Sequence, residues 1–90
     1  MKVLMLYRPN SEFARSAEEY VREFERVTGK KIEKIDIDSR EGIAKAKLYD
    51  ILDHPSFVAI ADDGQYLNSW VGQPFPLINE LSAYTSGNIR

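Results

Sequence analysis

The order of hydrophobic patterns over residues 3–37 constrains this chain more than any other feature. Val3 to Tyr7 is an apolar, β-prone run without alternation, which reads as a strand buried on both faces. Pro9-Asn10-Ser11 breaks it. Phe13, Ala17, Tyr20, Val21, Phe24 and Val27 then recur at helical spacing and make one apolar stripe. Asn10 or Ser11 is placed to cap that helix, Glu12, Glu18 and Glu19 favour its N-terminal half, and Gly29 stops it. Ile32, Ile35 and Ile37 mark a second strand. Strand, amphipathic helix and strand in that order require a parallel pair joined by a crossover.

The second half changes character. Ser39-Arg40-Glu41-Gly42 leads into a helix with Ile43, Ala44, Ala46, Leu48, Ile51 and Leu52 on its apolar side, ended by Asp53-His54-Pro55 because a residue before proline leaves the helical region. Phe57 to Ala61 and Tyr66 to Val71 are strands joined through Asp62-Asp63-Gly64-Gln65, a strong hairpin signal. Gly72-Gln73-Pro74-Phe75-Pro76 leads to a last helix, Leu77 to Tyr84. The order βαβαββα implies a three-layer α/β sandwich, with a four-stranded mixed sheet covered by helices on both faces. The expected domain spans residues 1–85, followed by a flexible tail at 86–90.

Composition excludes several classes. Twelve basic residues against 14 acidic ones leave a net charge of −2, which argues against a nucleic-acid binder. No apolar run approaches the roughly 20 residues of a membrane span. The apolar run at Met1 to Arg8 is too short for a signal peptide and has no small-residue cleavage site after it, so the expected location is cytoplasmic. Cysteine is absent, which removes disulfides, thiolate catalysis and cysteine metal sites. His54 is the single histidine, and no cofactor or metal site is implied.

Several landmarks occur together in the second half: Tyr49-Asp50-Ile51, His54-Pro55-Ser56-Phe57, Asp63-Gly64 and Val71-Gly72. Six residues separate Tyr49 from Pro55, nine separate Pro55 from Gly64, and eight separate Gly64 from Gly72. This pattern resembles the thioredoxin-like superfamily, and Leu6 to Ala14 resembles the glutaredoxin-like elbow in which a Cys-x-x-Cys motif opens the first helix. The resemblance implies that Ser11 stands at the attacking cysteine and Ala14 at the resolving one, so neither is catalytic. Met5 stands where thioredoxins often keep a buried aspartate. Gln73-Pro74 follows Gly72 in place of the residues with which glutaredoxins hold glutathione. Pro55 matches the family's cis-proline, so a cis His54–Pro55 bond is expected.

These departures imply a redox-inactive domain that binds a protein or extended peptide through Arg8, Asn10, Ser11, Phe13, His54, Pro55 and Gly72. Two alternatives belong to other classes. Ser11 with His54, oriented by Asp50 or Asp53, would make a hydrolase or transferase of the Ser-His-Asp type. The sheet edge or the Trp70/Phe75 region would make a structural or oligomerising subunit. Tyr66, Asn68 and Trp70 share strand parity and are expected on one face. Asp36, Asp38, Asp62 and Asp63 read as turn and strand-end residues rather than a metal set, and Lys30, Lys31 and Lys34 as complements to a helix end.

Overall fold

A computed structural model describes residues 1–85. Its elements are β1 (Lys2–Tyr7), α1 (Ala14–Thr28), β2 (Glu33–Asp36), α2 (Arg40–Leu48), β3 (Ser56–Ile60), β4 (Tyr66–Val71) and α3 (Ile78–Ser82). They form one four-stranded sheet in the order β2-β1-β3-β4. β1 runs parallel to β2 and antiparallel to β3, and β4 is antiparallel to β3. The tail expected at residues 86–90 lies outside the described residues.

The two central strands carry the core. Val3 to Tyr7 and all of β3 are buried, because helices lie on both faces of the sheet. On one face Val3, Met5, Tyr7, Phe57 and Ala59 meet Ala14, Ala17, Val21 and Phe24 of α1 and Leu81 of α3. On the other, Leu4, Leu6, Ile35, Val58 and Ile60 meet Tyr49 and Ile51 beside α2. Phe75 belongs to the first face, with its ring 5.3 Å from Tyr20 and 5.7 Å from Phe57. Trp70 packs there too, 5.3 Å from Tyr84. Both aromatics are therefore packing residues.

Four expectations need correction. Neither Asn10 nor Ser11 caps α1. The cap position is Phe13, without a side-chain hydrogen bond, because the elbow residues are spent on turns. The Ser11 N–H donates to the Arg8 carbonyl (3.0 Å) and the Ala14 N–H to the Ser11 carbonyl (3.2 Å). The apolar stripe is also shorter than its pattern, since Phe13 and Val27 at its ends are exposed.

The second correction concerns α2, which ends at Leu48, well before Pro55. Asp50 takes a left-handed φ of 57°. Ile51 N–H then donates to the Ala46 carbonyl (2.8 Å) and Asp50 N–H to that of Lys47 (3.4 Å). This is a Schellman stop with aspartate in the position usually held by glycine. It turns Ile51 into the core beside Ala46 and leaves Leu52 on the surface. Third, α3 is shorter than Leu77 to Tyr84, with Leu77 at its cap position.

Fourth, Tyr66 and Trp70 do not share a face. A bulge falls where Ala59 pairs with Asn68 but Ile60 pairs with Tyr66, leaving Leu67 as the extra residue. One extra residue inverts the side-chain alternation. Tyr66 accordingly sits near Tyr49 on the α2 side (ring centroids 6.4 Å apart), its hydroxyl 2.8 Å from Ser69 Oγ. Beside the bulge, Asn68 Oδ1 accepts the Ser69 N–H at 2.8 Å.

Candidate functional site

All four strands contribute to one end of the sheet. The parallel strands β1 and β2 finish there at Tyr7 and Asp36. β3 begins there at Ser56, opposite the end of β4 at Val71. Every proposed binding residue lies in the segments leaving or entering this end.

Arg8 is the first residue beyond β1, and Asp38 follows the end of β2. Parallel pairing extends just past both strands, with Ile37 N–H donating to the Tyr7 carbonyl at 2.8 Å. It therefore sets the two charged side chains side by side. Arg8 Nε donates to Asp38 Oδ2 (2.8 Å) and Nη2 to Oδ1 (3.1 Å), a two-pronged ion pair. The Arg8 guanidinium holds the Asp38 carboxyl below the usual carboxylate range, with a smaller contribution from His54.

The third prong of Arg8 meets the loop before β3. Arg8 Nη1 lies 3.3 Å from His54 Nε2. A guanidinium only donates, so Nε2 accepts and the imidazole proton sits on Nδ1. Nδ1 is buried without a hydrogen-bond partner among the described residues. Leaving such a donor unpaired costs about 1–3 kcal/mol. His54 N–H donates to Asp53 Oδ1 (3.2 Å), and Ser56 Oγ–H to the Asp53 carbonyl (2.7 Å). The His54–Pro55 peptide bond is cis, as is Gln73–Pro74. Gly72, at φ 68°, donates its N–H to the Pro55 carbonyl at 2.9 Å. The loop before β3 is thus tied to β1 through Arg8 and to the end of β4 through Gly72.

Ser11 stands apart from this cluster. It lines a groove of ≈ 440 Å³ with Pro9, Asn10 and Ala14 of the elbow and Arg15, Glu18, Glu19 and Arg22 along α1. Beneath the groove the Tyr7 hydroxyl donates to Glu18 Oε2 at 2.7 Å, and burial, assisted by that carboxylate, pushes its pKa up to about 12. Phe13 is 40% exposed at the start of α1. Among the described residues no carboxylate hydrogen-bonds His54 Nδ1, and Nε2 faces Arg8. The Ser11–His54–Asp arrangement needed for hydrolysis is therefore not assembled.

Asp38 is the site residue that sequence reading missed, where it figured only as a strand-end acid. The signal was available. If the first two strands are parallel neighbours, charged residues just beyond their ends must lie close together. Asp36 and Asp63 are engaged locally, accepting the N–H groups of Asp38 and Gln65. Among the described residues no group of three or more His, Asp or Glu side chains is placed to hold a metal.

No family model matches the chain, and no curated protein matches it. Solved structures do. Mitochondrial thioredoxin 3 from Saccharomyces cerevisiae, in its oxidized form, is similar at a TM-score of 0.66 and 19% identity, over 92% of this chain and 74% of that one. A designed protein is similar at a TM-score of 0.65 and 21% identity, over 92% of this chain and 70% of that one. At these identities the likeness speaks for architecture alone. The chain has a thioredoxin-like fold and no cysteine, so dithiol–disulfide exchange is outside its chemistry.

Proposed function

We propose that this redox-inactive thioredoxin-like domain binds a protein or an extended peptide. The binding surface is formed by the elbow, the loop before Pro55 and the turn at Gly72. One observation carries the reading. The His54 carbonyl accepts no hydrogen bond among the described residues, in a loop fastened on both sides by Arg8 and Gly72. A fixed, unpaired carbonyl at the end of a sheet is what an extended chain needs to dock its own N–H groups. Phe13 supplies an exposed apolar contact, and Asn10 and Ser11 supply polar ones along the groove. Preorganisation by the Arg8–Asp38 pair lowers the ordering cost of binding.

A cytoplasmic setting belongs to the same reading. No helix among the described residues is long and apolar enough to cross a membrane.

The test is selection from a random peptide library, followed by titration of the chosen peptide into ¹⁵N-labelled protein. Amide shifts should concentrate at Phe13, His54 and Gly72. Phe13→Ala and His54→Ala should each weaken binding about tenfold, equivalent to about 1.4 kcal/mol. Peptides whose affinity ignores both substitutions would refute the assignment.

A further inference from the structure

Where the end of α2 meets β4 the molecule carries a second pocket, separate from the strand ends where a peptide would dock. It has a volume of ≈ 370 Å³ and is lined by Leu48, Tyr49, Asp50, Tyr66 and Ser69. Its two aromatic rings are held in place at their hydroxyls. Tyr49 donates to the Gly64 carbonyl at 2.8 Å, and the Tyr66 hydroxyl lies 2.8 Å from Ser69 Oγ. The ring centroids are 6.4 Å apart and the planes are tilted by 37°. One cation above this pair can therefore lie within the roughly 6 Å over which a ring attracts it, measured from both centroids at once. Tyr66 is 47% exposed, so its ring is open to a ligand.

The only charge in the lining is negative. Asp50 is exposed, and its carboxylate has no hydrogen bond or ion pair among the described residues. Lys45 and Lys47 are near in sequence, yet neither lines the pocket nor pairs with Asp50. The left-handed backbone at position 50 would be served as well by glycine or asparagine, without a charge. The C-terminal end of α2 adds the negative pole of a helix dipole.

Hydrogen-bonding capacity narrows the occupant further. A primary ammonium brings three N–H donors and a guanidinium five. The hydroxyls of Tyr49, Tyr66 and Ser69 are already engaged, so the Asp50 carboxylate is the main side-chain acceptor left in the pocket. An ammonium that carries methyl groups in place of N–H donors has no such demand. It presents its charge to Asp50 and its methyl groups to the two rings and to Leu48. We propose that Tyr49, Asp50 and Tyr66 form a binding site for a methylated ammonium group, carried either by a lysine side chain or by a small free molecule.

The test is titration of ¹⁵N-labelled protein with Nα-acetyl-trimethyllysine methylamide, with its unmethylated lysine counterpart and with choline chloride, using sodium chloride as the ionic-strength control. A methylated probe should give saturable amide shifts at Asp50, Tyr66 and Ser69, with a dissociation constant of about 1–10 mM. Unmethylated lysine should bind at least about fivefold more weakly. Saturation by trimethyllysine alone upholds the site and puts the cation on a peptide. Saturation by choline upholds it and admits a free cation. Tyr66→Ala should weaken binding at least about fivefold, whereas Tyr66→Phe, which keeps the ring, should stay within about twofold. Asp50→Asn suits the same left-handed backbone, so circular dichroism should stay native while affinity falls about threefold or more. The inference is overturned if neither methylated probe saturates, if sodium chloride gives the same shifts, or if unmethylated lysine binds equally well. Binding indifferent to Tyr66→Ala or to Asp50→Asn overturns it too.

Discussion

Gly42→Ala tests the packing of α2 most sharply, because two effects of known sign oppose each other. In a helix interior alanine is favoured over glycine by about 0.8–1.0 kcal/mol. If α2 merely rested on the sheet, the substitution would stabilise the domain. In the structure, a Cβ at Gly42 falls 2.0 Å from the Asp36 carbonyl oxygen and 2.8 Å from Ile37 Cα. Both are backbone atoms, and the Asp36 carbonyl is further pinned as acceptor for Ser39 N–H (3.0 Å) and Ser39 Oγ–H (2.6 Å). Relieving the clash requires the helix to back away from the end of β2. That movement strains the core by about 1–3 kcal/mol. It also loosens the Ser39 cap, whose Oγ accepts the Gly42 N–H at 2.9 Å, at a further cost of about 1 kcal/mol. The net expectation is destabilisation by about 1–3 kcal/mol. Urea unfolding, followed by circular dichroism and by fluorescence of the single tryptophan, Trp70, should show a lower midpoint at unchanged slope. In a domain this size each 1 kcal/mol is about 4–8 °C in Tm. Ala44→Gly, on the exposed side of the same helix, calibrates propensity alone and should cost about 1 kcal/mol. A Gly42→Ala protein as stable as the wild type, or more so, would refute the close approach of α2 to β2.

Other expectations follow from the same geometry. Asp38 has a lowered folded pKa, so its pairing with Arg8 contributes stability above the ordinary aspartate value of about 3.9 and loses it as pH falls through the folded value. The gap in urea midpoint between wild type and Arg8→Ala should therefore shrink from about pH 6 to about pH 2, and a constant gap would contradict the pair. Tyr7 and Tyr20 are both pushed up to about 12, chiefly by burial, so two of the five tyrosines should ionise late in a phenolate absorbance titration. Their contribution to stability is intact below the ordinary tyrosine value of about 10 and is lost as pH rises toward the folded value. Phe24→Ala, at a fully buried site facing the sheet, should cost about 3–5 kcal/mol in the same urea assay. A double change, Ser11→Cys with Ala14→Cys, puts two thiols in the single turn closed by Ala14 N–H and the Ser11 carbonyl. Oxidation should leave no free thiol by Ellman titration, and two persistent thiols would misplace the elbow.

The architecture was legible because its signals are local and additive. β1 shows as an unbroken apolar run. α1 shows as a stripe stopped by Gly29, which adopts the left-handed conformation and donates to the Glu25 carbonyl. The hairpin shows through Asp63-Gly64. The errors lie where one residue does something its type does not advertise. Asp50 stops α2 in a conformation usually signalled by glycine, so the apolar pattern running on to Leu52 read as more helix. The bulge at Leu67 inverts the side-chain parity of the strand Tyr66 to Val71, and no residue type announces it. At the strand ends, the choice of Arg8 and His54 came from a resemblance, and their contact with Asp38 depends on strand register. Periodicity reports which face a residue takes, but not which neighbour it meets across the sheet.

The small hydrogen bond from Ser69 N–H to Asn68 Oδ1 bears on strand addition at the edge of the sheet. β4 is an edge of the sheet, and edge strands with free N–H groups recruit strands from other molecules. At Ser69 the donor is already occupied by the neighbouring side chain, and the bulge at Leu67 breaks the regular ladder two residues earlier. An incoming strand would find neither a continuous row of donors nor a straight track. Occupying that donor opposes strand addition at this edge, and Asn68→Ala, which removes the acceptor, should be felt first as association at high concentration rather than in the folding of a single molecule.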